Sequence, residues 1–218
     1  MKTTILKYAT VLVILTLFST GCKNKWKQPT DITFSIHHTI SSDGSLSGTF
    51  NFKTIEFEGK RKQGDDVNFN HDESFTYDFS SSSTSKKLNF ELPQGTYKNF
   101  HVVLRGEDQM LHLSGKYKPE NGHPKSVILD ISAPEVFRLQ VENNNNTDIV
   151  LQKDIKRTLH VEINLDSWFS HIPQQAWENA DYEYIQGKPT IQITRNQNAE
   201  LYSTIQNKIR DSFKAYIE

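Results

Sequence analysis

Apolar and polar residues alternate with a period of two along most of this chain, the mark of strands buried on one face. Ile32, Phe34, Ile36, His38 and Ile40 alternate with Thr33, Ser35, His37 and Thr39. After the Ser41-Ser42-Asp43-Gly44 turn, Leu46, Phe50 and Phe52 mark a second strand. The apolar set then changes phase to Ile55 and Phe57, which predicts a bulge around Lys53-Thr54. Val67 with Phe69, then Phe75, Tyr77 and Phe79, continue the pattern into a polar, serine-rich loop at residues 80–85. Leu88, Phe90 and Leu92 lead into Pro93-Gln94-Gly95, a strong turn signal. Phe100, Val102 and Leu104 line one face of the next strand, and Gly106-Glu107-Asp108 predicts a hairpin turn onto residues 110–117. Three shorter alternating runs follow, before Leu159, Val161, Ile163 and Leu165 give the cleanest alternation of all.

The last quarter of the chain changes character. Asp166 is placed to cap a short helical turn through Trp168 and Phe169, limited by Pro173. Ile191 and Ile193 suit a short strand. Leu201, Ile205, Ile209 and Phe213 then recur every four residues, which predicts one face of an amphipathic helix. The expected fold is mainly β: an antiparallel β-sandwich over residues 31–195 with a C-terminal amphipathic helix, residues 196–218, packed on it.

The N-terminus gives an address. Residues 1–8 carry Lys2 and Lys7 and no acid, and residues 9–18 (ATVLVILTLF) form an apolar run of ten. Ten residues are too few to span a bilayer core as a helix, which takes about 20. The pattern predicts a signal peptide over residues 1–21. Ser19-Thr20-Gly21 then leads into Cys22, the only cysteine. This arrangement resembles the lipobox of bacterial lipoproteins, with Ser19 where the common pattern has Leu. The resemblance implies that Cys22 is acylated, palmitate among its chains, and that residues 22–30 form a lipidated tether. Lys23, where aspartate would retain the protein at the inner membrane, implies outer-membrane sorting. Residues 23–27 (KNKWK) lack the acidic run of some surface-exported lipoproteins, which implies a periplasm-facing position. Loss of Lys2 and Lys7 with the signal would take the net charge from −1 to −3.

The order of elements resembles single-domain β-sandwich lipoproteins of Gram-negative bacteria, loosely fimbrillin-like or transthyretin-like. The carrying stretches are residues 92–97 (LPQGTY), residues 159–169 (LHVEINLDSWF) and residues 201–205 (LYSTI) leading to Ile209 and Phe213. The resemblance implies an envelope protein and brings no active-site residue with it.

Little else points to chemistry. There is no Gly-rich phosphate loop, no Gly-x-Ser-x-Gly elbow and no His-Glu-x-x-His helix. Asp65-Asp66 and Asp72-Glu73 lie between strands, where adjacent acids read as solvated charge. Eight histidines are present. His38 and His71 are candidates for a metal if their strands are neighbours, whereas His37 and His38 point to opposite faces and cannot chelate together. Scattered half-buried histidines explain the same residues without a metal. Trp168, Trp177, Tyr182 and Tyr184 are candidates for a sugar-stacking platform. Packing against the terminal helix explains them equally. A net charge of −1 argues against nucleic acid as a partner.

These readings lead to a non-catalytic cell-envelope lipoprotein with a binding or assembly role, needing no cofactor. Its partners would be the membrane, through the N-terminal lipid, and an envelope protein or glycan. The alternative is a small-ligand binder for a sugar or a metal.

Overall fold

The computed structural model describes residues 28–40, 46–80, 86–119, 123–132, 134–143 and 148–218. The expected signal peptide, Cys22 and the tether up to residue 27 lie outside the described residues. Of the described residues, 61% are in strands and 13% in helices, so the class is mainly β. The strands are β1 (Pro29–Thr39), β2 (Ser47–Arg61), β3 (Val67–His71), β4 (Phe75–Asp78), β5 (Lys86–Pro93), β6 (Gly95–Tyr117) and β7 (Lys125–Ile131). They continue with β8 (Val136–Asn143), β9 (Ile149–Leu151), β10 (Arg157–Asn164), β11 (Glu183–Ile185), β12 (Lys188–Ile193) and β13 (Phe213–Ile217). The helices are α1 (Leu165–Phe169), α2 (Gln174–Glu178) and α3 (Ala199–Asp211).

The strands form one curled, half-barrel-like sheet in the order β11-β12-β7-β6-β8-β13-β10-β1-β5. Strand β2 lies on the other edge of β6 and carries β3 and β4 in turn. The sheet is mixed, not antiparallel as the alternation suggested. Strand β1 runs parallel to β10, β12 to β7, and β13 to β8. Alternation reports which face of a strand is buried and is blind to its direction. Those three pairs are joined only through long stretches of intervening chain.

Two further expectations are corrected. Gly106 does not close a hairpin, because β6 runs unbroken from Gly95 to Tyr117 and stays paired with β2 on both sides of Gly106. The extra residues are absorbed as register shifts between Phe50, Phe52 and Thr54, where the alternation in β2 changes phase. The Gly106 amide donates to the Glu135 carbonyl at 2.9 Å, which holds the irregular stretch to the segment before β8.

The chain also does not end in a helix. Helix α3 stops at Asp211, and Phe213, Ala215 and Ile217 turn their side chains inward from β13. Four-residue spacing carried the expected stripe one step too far, since Phe213-Lys214-Ala215-Tyr216-Ile217 also alternates with a period of two. Strand pairing on both sides, to β10 and β8, decides between the two periods. At α1 the cap is Asn164, whose side chain accepts from the Ser167 amide, and Asp166 sits in the first turn.

The core runs through the curl and is rich in phenylalanine. Phe34 of β1, Phe57 of β2 and Phe90 of β5 meet edge to face, with ring centroids 4.9–6.4 Å apart. Phe69 of β3 lies 5.9 Å from Phe90, so side chains fill the gap between the edge strands β3 and β5, which are not hydrogen-bonded partners. On α3, Leu201, Tyr202, Ile205 and Ile209 are buried.

Candidate functional site

The four aromatic candidates separate into two pairs. Trp168 is fully buried, its indole Nε1 donates to Ser212 Oγ at 2.7 Å, and its ring meets Phe79 edge to face at 5.8 Å. Trp177 is 7% exposed and stacks on Tyr117 at 5.1 Å with 16° between the planes. Both are packing residues that tie α1 and α2 to the sheet. Tyr182 and Tyr184, by contrast, are 49% and 71% exposed, with ring centroids 6.1 Å apart.

The histidine candidates are not brought together. His38 Nδ1 lies 2.8 Å from the Tyr77 hydroxyl, and its ring packs against Tyr77 and Phe79. Burial, helped by the charge of neighbouring His37, holds the His38 pKa below its ordinary value. Burial likewise pushes the Tyr77 hydroxyl up to about 12. His71 instead packs against Phe90, which pairs with Ile32 at the far end of β1. Ile32 and His38 are six residue steps apart along the strand, roughly 20 Å. Among the described residues, no three His, Cys, Asp or Glu side chains converge on a point that could hold a metal ion.

A second histidine group lies on the outer face of β1, β10 and β13. His160 stacks on Tyr216 at 5.0 Å, and His37 meets both rings edge to face. Burial lowers the His160 pKa against the opposing pull of Glu218, whose carboxylate lies 3.6 Å away.

Tyr182 and Tyr184 belong to the end of the sheet where β11 and β12 form a hairpin. Its turn is Gln186-Gly187, both with positive φ (51° and 77°), the geometry that a two-residue hairpin requires. Strand β12 lies parallel to β7, with Thr190 opposite Ser126. Strand β7 in turn pairs with the end of β6, placing Lys116 opposite Ser126. Two grooves of about 450 and 490 Å³ share Lys116, Ser126 and Lys188. The first is also lined by Lys118, His123 and Lys125. The second has Ser47, Ser114 and Thr190 along it, and Ser47 and Ser114 share a hydrogen bond at 2.9 Å. The Lys125 ammonium sits 4.4 Å from the Tyr182 ring centroid, joining the cationic groove to the aromatic pair.

Sequence reasoning included the two tyrosines among its candidates and did not include the cations. A signal was present: Lys116, Lys118, His123 and Lys125 bracket Asn121-Gly122, a turn pair, within ten residues. Lys188 joins them only through the parallel pairing of β12 with β7, which no local pattern announces.

No family model, curated protein or solved structure matches the chain, so its own residues are the guide to its function.

Proposed function

We propose that this chain is a non-catalytic, lipid-anchored protein of the cell envelope that binds an envelope glycan at the β11–β12 end of its sheet. Anchoring would come from acylated Cys22, with the domain on the periplasmic side of the outer membrane. The curled sheet is then an opened relative of the β-sandwich that such lipoproteins carry, with α3 packed against it. The observation that supports binding is the exposed Tyr182/Tyr184 pair beside grooves lined with hydroxyls and ammonium groups. Large flat rings left in solvent next to hydrogen-bonding groups suit the alternating apolar faces and hydroxyl edges of sugars. Sedimentation of the full-length protein with protein-free envelope glycan tests this. Tyr182→Ser/Tyr184→Ser should abolish co-sedimentation without moving the urea midpoint; equal co-sedimentation of the two proteins would overturn it.

A second reading, assembly by strand addition, has in its favour the edge of β5 that is unpaired among the described residues. That edge carries exposed Lys86, Lys87 and Glu91 and ends at Pro93, features that blunt strand addition. Glycan binding is therefore the stronger reading.

A further inference from the structure

We infer that the ligand held at this end is an anionic glycan, one whose sugars carry carboxylate or phosphate groups. The inference rests on the binding reading above and names the chemistry of its ligand. Lys116, Lys118, His123, Lys125 and Lys188 line the joined grooves, and among the described residues no acidic side chain lines either one. In a chain of net charge −1, that is a local concentration of positive charge against an even overall balance. A concave surface lined by one sign of charge focuses its field on a ligand of the other sign. Ser126 pairs with Lys116 on one side and on the other with buried Thr190, two residues along β12 from Lys188 and donating to its carbonyl. The half-buried Ser126 hydroxyl therefore stands between the strands that carry the two ammonium groups. A polyhydroxylated anion uses both the hydroxyls and the positive charge, whereas a neutral sugar gains nothing from the charge.

Phosphate headgroups of the anchoring membrane offer similar chemistry, but the position of the groove argues against them. The Gln94 amide donates to the Gln28 carbonyl at 3.1 Å, so the described residues begin beside the start of β6. The grooves lie at the opposite end of β6. The paired strand β2 measures the interval: its 15 residues run from Arg61, opposite Tyr97, to Ser47, opposite Ser114. That is up to roughly 45 Å of strand between residue 28 and the cationic end. With an acylated Cys22 anchoring the chain at that entry, this end would face away from the headgroups beside the anchor and towards a glycan beyond the membrane surface.

The test uses the full-length chain in nonionic detergent micelles, titrated with polygalacturonate and with dextran of matched length. Polygalacturonate should bind and weaken as salt rises, with dextran about tenfold weaker or more. Lys116→Gln/Lys188→Gln should weaken polygalacturonate binding by about tenfold, while Lys116→Arg/Lys188→Arg retains it. Urea midpoints of the variants check that the fold is intact. Equal binding of both polymers, lost in Tyr184→Ala but kept in the glutamine variant, would overturn the anionic ligand and leave the glycan reading standing. No binding of either polymer would overturn the inference; if Tyr182→Ser/Tyr184→Ser also left envelope-glycan sedimentation unchanged, the binding reading would fall too. Displacement of polygalacturonate by phosphatidylglycerol doped into the micelles would assign the grooves to lipid headgroups and overturn the inference.

Discussion

Replacing Trp168 by phenylalanine separates a packing tryptophan from a ligand platform. The indole is fully buried, its Nε1 donates to Ser212 Oγ, and Ser212 Oγ also donates to the Ile209 carbonyl at 2.7 Å. Phenylalanine keeps one ring against Phe79 but removes the pyrrole portion and its donor. The hydrogen bond so removed is worth about 1 kcal/mol. The void left behind, on the order of 40 Å³, costs about another 1 kcal/mol. The smaller apolar surface that phenylalanine buries adds up to about 1 kcal/mol. Trp168→Phe should therefore destabilise the fold by about 2–3 kcal/mol, which in a domain of this size lowers Tm by roughly 5–10 °C. Urea unfolding followed by far-ultraviolet circular dichroism measures it. A double-mutant cycle with Ser212→Ala should return a coupling of about 1 kcal/mol, because Ser212 is the acceptor of that bond. Glycan binding of the folded variant should be unchanged. A midpoint within experimental error of the parent, together with weakened glycan binding, would refute the packing account.

Ile209→Ala truncates a buried side chain on α3 and should cost about 2–5 kcal/mol in urea unfolding; an unchanged midpoint would show that α3 is not docked. His38, His101 and His160 all have pKa values lowered chiefly by burial. Unfolding returns them to the ordinary value, so below about pH 6.5 the unfolded chain binds more protons than the folded one. Stability should be full above that pH and fall as pH drops through the depressed folded values. Thermal unfolding across pH 7.5 to 4.5 reads this, with a shallower fall expected in His160→Gln; a Tm that rises on acidification would contradict it. Cys22→Ser should abolish the mass increment of acyl chains in the membrane-extracted protein, and identical unmodified masses for both proteins would remove the anchor.

The alternation of Ile32, Phe34 and Ile36, or of Leu159, Val161 and Ile163, made the strands legible because burial on one face is a local property. Even the bulge in β2 was visible, as a change of phase at residues 53–54. Strand direction was not visible, since a parallel neighbour such as β10 beside β1 leaves the same imprint on β1 as an antiparallel one. Phe213 shows a second limit: it satisfies a helical stripe and a strand alternation at once, and only pairing with β10 and β8 chooses. The candidate site was half legible. Tyr182 and Tyr184 stood out in one aromatic group with Trp168 and Trp177, but their separation from those two depends on which rings the helices cover. The cationic grooves depend on three strands meeting, β6, β7 and β12, and only the first two are close in sequence.

Hydrogen–deuterium exchange of the full-length protein, with and without saturating polygalacturonate, tests the central claim most directly. Bound glycan should slow exchange at residues 114–118, 123–128 and 183–190 and leave the outer face of β1, β10 and β13 unchanged. Protection confined to that outer face, around His37, His160 and Tyr216, would place binding elsewhere and contradict the account.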